Sequence, residues 1–95
     1  MDDRHVLVFF TSQRSGPARR MESLLAHIAR KEREHLDVKM VDVDERPDLA
    51  DRFRVTQVPA LALVKDRRVI ARLDGRVTTP RIEEMLDSHL RVALA

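Results

Sequence analysis

The chain reads as one small α/β domain of order β-α-β-α-β-β-α, with a four-stranded mixed sheet flanked by helices. Three observations predict it. Val6-Leu7-Val8-Phe9-Phe10 is an unbroken apolar run, too short for a globular helix and rich in β-branched and aromatic residues, which suits a strand covered on both faces. Met21, Leu24, Leu25 and Ile28 recur soon afterwards at helical spacing. Residues 60–64 and 69–73 are short apolar runs joined by Lys65-Asp66-Arg67-Arg68, the pattern of an antiparallel hairpin.

The first strand is expected at the centre of the sheet, and the Ser15-Gly16-Pro17-Ala18 corner follows at its carboxyl end, where open α/β sheets place their sites. A helix from Gly16 to about Glu34 follows, capped by Ser15, with Pro17 suited to its first turn. Val38, Met40, Val41 and Val43 make the second strand, bounded by Asp37 and by Asp44-Glu45, and its charged neighbours suggest an edge position. Pro47 opens a short helix in which Leu49 and Phe53 share a face, and a turn is expected at Pro59. The turn of the hairpin lacks the glycine that tight hairpins favour, so a longer or looser loop is expected there. Gly75 follows the hairpin. Thr79-Pro80 then supplies a cap and a first helical residue, Glu83 and Glu84 lie near that N-terminus, and Ile82, Met85, Leu86 and Leu90 form an inner face.

At 95 residues and 43% hydrophobic content, residues 1–95 form a single domain with one core. Charged residues make up 36% of the chain but leave a net charge of only +2, which describes a solvated surface of mixed sign. Arginine far outnumbers lysine and forks phosphates or carboxylates well, although genome base composition gives the same bias. The aromatics are three phenylalanines with no Trp or Tyr, so platforms for stacking bases are nearly absent and nucleic-acid binding is not expected.

There is no cysteine, which excludes disulfides, thiolate nucleophiles and thiolate metal sites. His5, His27, His35 and His89 have no metal-ligand spacing, and neither a metal nor a cofactor is expected. No run is long enough to span a bilayer. Met1-Asp2-Asp3 starts the chain acidic, without the pattern of a signal peptide, so the expected location is cytoplasmic.

With that order established, residues 5–91 resemble the thioredoxin family. The apolar strand followed by Ser15-Gly16-Pro17-Ala18 is similar to the family's central strand and Cys-Gly-Pro-Cys corner, with Ser15 and Ala18 standing where the two redox cysteines would be. Val41-Asp42-Val43-Asp44-Glu45-Arg46-Pro47 is similar to the strand that ends in an aspartate before the next helix. Val55-Thr56-Gln57-Val58-Pro59-Ala60 matches the segment of the family's cis-proline, and Gly75 falls where the family keeps a glycine.

The departures bear on function. Thioredoxin chemistry needs a low-pKa thiolate at a helix N-terminus and a second thiol to resolve the mixed disulfide. Ser15 and Ala18 supply neither. Phe9 stands where the family commonly buries an aspartate, Met40 where a lysine often accompanies it, and Arg14 where a tryptophan precedes the first cysteine. Ser23 replaces a proline that bends the helix in many members, so a straighter helix is expected. The family's first strand and helix have no counterpart here, which leaves the strand between Val38 and Val43 open to a partner strand or a second copy.

The resemblance implies a domain with no catalytic residue in thiol exchange. Its contact surface, formed by Arg14, Ser15, Gly16, Pro17, Val58, Pro59 and Gly75, would hold a protein or an extended peptide. Blander readings stand beside it: Ser15 as a plain helix cap, the Val58-Pro59 turn as a need of the fold, and Arg14, Arg19 and Arg20 as a solvated face. Two further readings remain open. One is a glutathione-binding or glutathione-dependent enzyme using Ser15; the other is a thioredoxin disulfide oxidoreductase whose cysteines were replaced.

Overall fold

β1 (His5–Thr11) runs through the centre of the sheet, with Leu7 and Phe9 on one face and Val8 and Phe10 on the other, all buried. A strand apolar at every position needs cover on both sides. β2 (Leu36–Asp42) pairs with β1 in parallel, β3 (Ala60–Lys65) pairs antiparallel on its other side, and β4 (Arg68–Asp74) pairs antiparallel with β3. The order is therefore β2-β1-β3-β4, with β2 at an edge. The structure, a computed structural model, describes residues 4–91; the acidic start at Met1-Asp2-Asp3 lies outside them.

α1 (Gly16–Lys31) and α3 (Thr79–Leu86) cover the Leu7 and Phe9 face with Ala18, Met21, Leu25, Ile28, Ile82, Met85 and Leu86. The other face is covered by the end of the short α2 (Pro47–Arg52), where the Phe53 ring lies 5.2 Å from that of Phe10. α1 is unbroken through Ser23. Past the Phe53 cap of α2, Arg54 turns the chain with a φ of 57°, while the Val55 N–H bonds the Ala50 carbonyl at 2.8 Å and the Arg54 N–H bonds that of Asp51 at 3.1 Å. That pair of bonds is the Schellman ending. The Arg72 guanidinium donates to the Phe53 carbonyl at 2.9 Å, a cation placed at a helix carboxyl end.

Several boundaries differ from the sequence reading. α1 ends at Lys31 rather than near Glu34, because the N–H groups of His35 and Leu36 both turn back onto the Glu32 carbonyl and so bring Leu36 into the sheet opposite His5. β2 accordingly begins at Leu36, before Val38. α3 is preceded by Thr78 as its cap residue, one place earlier than expected, and the Thr78 carbonyl accepts the Arg81 and Ile82 N–H groups while its hydroxyl makes no cap bond. Glu83 and Glu84 lie beyond the first turn. They form side-chain pairs instead, Glu83 with Lys31 of α1 at 3.8 Å and Glu84 with Arg81 at 3.3 Å. After Leu86 the chain continues as a π-helical turn, Asp87–Arg91.

The hairpin is tighter than its sequence suggests. Lys65 and Arg68 are register partners, and the two residues between them, Asp66 and Arg67, have φ of 52° and 66°. Both central residues are left-handed, as in the tight turns that match strand twist. Aspartate tolerates that region better than most residues, whereas arginine does not. The register between Leu63 and Val64 also shifts, and Ile70 is left out of the pairing as an exposed bulge.

Arg67→Gly is expected to raise the free energy of unfolding by about 1 kcal/mol, since it relieves a left-handed non-glycine residue. Urea unfolding followed by circular dichroism measures it; an unchanged or lower midpoint would show that the turn carries no such strain.

Candidate functional site

The corner after β1 is fastened before α1 begins. The Ser12 hydroxyl, buried, donates to Asp44 Oδ2 at 2.6 Å and accepts the Arg14 N–H at 3.2 Å. The Arg14 guanidinium donates to Asp44 Oδ1 at 2.7 Å, and the Ser15 N–H donates to the Ser12 carbonyl at 3.0 Å. Ser15 then takes extended backbone angles, its Oγ accepts the Ala18 N–H at 3.2 Å and its carbonyl accepts the Arg19 N–H at 3.0 Å. Ser15 is thus the helix cap, with Gly16 exposed and Ala18 fully buried.

Asp44 sits between two donors. The Ser12 hydroxyl first, and the Arg14 guanidinium after it, hold its carboxyl below the usual carboxylate range. Its own N–H bonds Asp42 Oδ1 at 2.8 Å. Arg14, although 84% exposed along its side chain, is therefore committed to a carboxylate of the protein itself. Arg20 instead folds its guanidinium back over the corner, near enough that a Cβ on Gly16 would lie 3.3 Å from Nη2.

The second half of the site comes from the start of β3 and the end of β4. The Val58-Pro59 peptide bond is cis, and the Pro59 carbonyl accepts the Gly75 N–H at 2.8 Å. Gly75 has φ of 82°, while a Cβ there would meet only Gln57 Oε1 at 3.9 Å, so backbone conformation rather than space selects glycine. Phe10 pairs with Ala60 and Ala60 with Asp74, which puts the serine corner, Pro59 and Gly75 at the same end of the sheet. Val58 packs against the core cluster that contains Ala18.

Beneath the corner the core is apolar. Phe9 is fully buried in the same cluster as Ala18, and its register partner on β2 is Met40. Among the described residues the Ser15 hydroxyl has no carboxylate or imidazole partner. A serine without a base is a poor nucleophile. Ser12 has a carboxylate partner, but it is buried and that carboxylate is a weakened base. Among the described residues, neither hydroxyl has a strong base beside it.

Sequence reasoning missed Ser12 and Asp44 as a pair. The two meet because Thr11 and Asp42 are register partners, with Ser12 one residue past the end of β1 and Asp44 two past the end of β2, a long-range contact that no local pattern announces. It also missed an open concavity of about 220 Å³ beside Val58, lined by Val43, Ala50, Val55, Thr56 and Gln57 as well. Among the described residues no group of three metal-ligating side chains is assembled, and no helix is long and apolar enough to cross a membrane.

A family model described as Thioredoxin matches residues 1–88. A thioredoxin-like protein of a Synechocystis species is 32% identical over 85 residues, 90% of this chain and 78% of that protein. A Staphylococcus aureus thioredoxin is 30% identical over 84 residues, 88% of this chain and 81% of that protein. Among solved structures, the germline-specific thioredoxin Deadhead of Drosophila melanogaster superposes with a TM-score of 0.86 at 26% identity, covering 93% of this chain and 83% of that one. The thioredoxin of Fasciola hepatica gives 0.86 at 25% identity over the same shares.

Two outcomes follow from this geometry. Gly75→Ala should lower stability by about 1–2 kcal/mol, read from the urea midpoint, because the left-handed angle and not a clash opposes the methyl. Asp44 contributes stability when ionised, and with its folded pKa lowered that contribution is lost as pH falls below about 4. Unfolding of Asp44→Asn between about pH 6 and about pH 3 should therefore be less pH-dependent than that of the wild type. Parallel profiles would place the acid sensitivity elsewhere.

Proposed function

This chain belongs to the thioredoxin family, and from that premise we propose that it is a non-catalytic member which holds a protein or an extended peptide. The contact surface is Ser15, Gly16, Pro17, Val58, Pro59 and Gly75, with Arg14 at its rim. Disulfide exchange requires a thiolate to attack one sulfur and a second thiol to release the mixed disulfide. A chain without cysteine has the atoms for neither step.

The observation that carries the reading is the Gly75 N–H bonded to the Pro59 carbonyl at 2.8 Å, beside a helix start capped by Ser15. A backbone turn fixed at the same end of the sheet as that helix start supports a surface that binds by shape. The apolar concavity beside Val58 gives a bound segment room for a side chain. The glutathione reading gains nothing here, since Ser15 Oγ accepts the Ala18 N–H and no base partners its proton among the described residues. Replaced cysteines fit no better, because apolar Phe9 and Met40 stand where the resemblance sets an aspartate and a lysine.

The purified chain should show no turnover in insulin reduction with dithiothreitol, and Ser15→Cys with Ala18→Cys should recover little. A library of blocked, extended hexapeptides, titrated into isotopically labelled protein, should shift the amides of Val58 and Gly75. Ser15→Asp, which keeps a capping side chain, should abolish those shifts. Repeated disulfide opening by the native chain, or peptide binding indifferent to Ser15→Asp, would sink the reading.

A further inference from the structure

A second concavity, of about 170 Å³, lies on the α2 side of the sheet toward the hairpin. Phe53 and Val64 are half-buried in it, Val69 is 45% exposed, and Arg52 and Arg67 complete its lining. α2 has only six residues, so its cover stops at Phe53 and leaves Val69 in the open. The register places the hairpin at the far end of β1 from the serine corner, since Val64 pairs with Val6 and Ala60 with Phe10.

Charge and size narrow what fits. Arg52 and Arg67 each lack an ion pair or side-chain hydrogen bond among the described residues, whereas Arg14, Arg46 and Arg72 all lie on carboxylates of the chain. Two unmatched guanidiniums beside an apolar floor ask for an anion joined to an apolar group, and a guanidinium forks a carboxylate well. A concavity of 170 Å³ is smaller than the roughly 300–1,000 Å³ of small-molecule sites. It has room for one side chain of a longer ligand.

We propose that this concavity docks an acidic segment of a partner protein, seating one Leu- or Phe-sized side chain on Phe53, Val64 and Val69 and laying flanking Asp or Glu carboxylates on Arg52 and Arg67. The site is separate from the serine corner and does not depend on the function proposed there. Arg67 serves it from a strained turn position, so the substitution that removes this cation is also the one expected to stabilise the fold.

The probe is the blocked tetrapeptide acetyl-Asp-Leu-Phe-Glu-amide, titrated into isotopically labelled protein. The expected result is shifts at the amides of Phe53, Val64 and Val69 and at the side-chain Nε of Arg52 and Arg67. Arg52→Gln combined with Arg67→Gly should weaken binding roughly tenfold, as should the peptide with Asn and Gln in place of its acids. The urea midpoint of the double variant shows that the protein remains folded. Absence of shifts, shifts confined to Val58 and Gly75, or an affinity unmoved by removing charge on either side would overturn the proposal. Equal shifts from hexanoate would overturn it in favour of a small amphiphile, and equal shifts from a DNA duplex in favour of nucleic acid.

Discussion

Two-sided burial of β1 is the constraint on which the rest of the structure depends. Leu7 and Phe9 on one face and Val8 and Phe10 on the other leave no direction in which this strand can meet water. Full burial of such side chains is worth roughly 1.5–3 kcal/mol each, so the chain must supply cover above and below. α1 has to start within a few residues of the strand to lie back over it, and that forces a helix N-terminus to the carboxyl end of the central strand. Phe9 also ties the core to the corner, because it is fully buried in the same cluster as Ala18 and brings an apolar ring, with no proton to transfer, to that face of the sheet.

The elements that the sequence made legible are those whose pattern is local. The unbroken apolar run, the Met21 to Ile28 stripe and the two runs of the hairpin each specify their state within a dozen residues. Ser15 as cap and Gly75 as a turn position were readable for the same reason, since cap and positive φ are properties of single residues. What escaped depends on contacts between distant segments. The reversal at Glu32 exists because Leu36 is buried opposite His5, and nothing in residues 32–35 announces it. Ser12 and Asp44 meet across 32 positions because parallel strands bring their carboxyl ends together. The tight turn at Asp66 and Arg67 escaped because strand pairing on both sides holds two non-glycine residues where local preference alone would not.

The outer strand β2 shows how an open edge can coexist with a buried centre. Just before it the His35 carbonyl accepts the His5 N–H, and just after it the Val43 N–H donates to the Thr11 carbonyl, so odd-numbered residues serve β1. By the alternation of a parallel ladder, Val38 and Met40 then present their backbone groups outward, while the Asp42 carbonyl accepts the Glu45 and Arg46 N–H groups. Met40 is 48% exposed on that edge, but Lys39 and Asp42 flank it. Charged side chains along an edge discourage indiscriminate strand addition, and a partner adding here would have to answer both signs.

Binding without reaction, the role proposed for this corner, makes particular demands of it. A surface that only holds its ligand gains by being ordered beforehand, because loop ordering otherwise opposes association. The corner is ordered in this way. Ser12, Arg14 and Asp44 close the loop on one side, Ser15 fixes the helix start, and the Gly75 N–H fixes the Pro59 carbonyl. Asp44 pairs with Arg14, and Arg20 folds over Gly16. The corner is therefore held by hydrogen bonds on both sides, and of the side chains that hold it Arg14 and Ser15 are the two that stand at positions where the resemblance sets a tryptophan and the first redox cysteine.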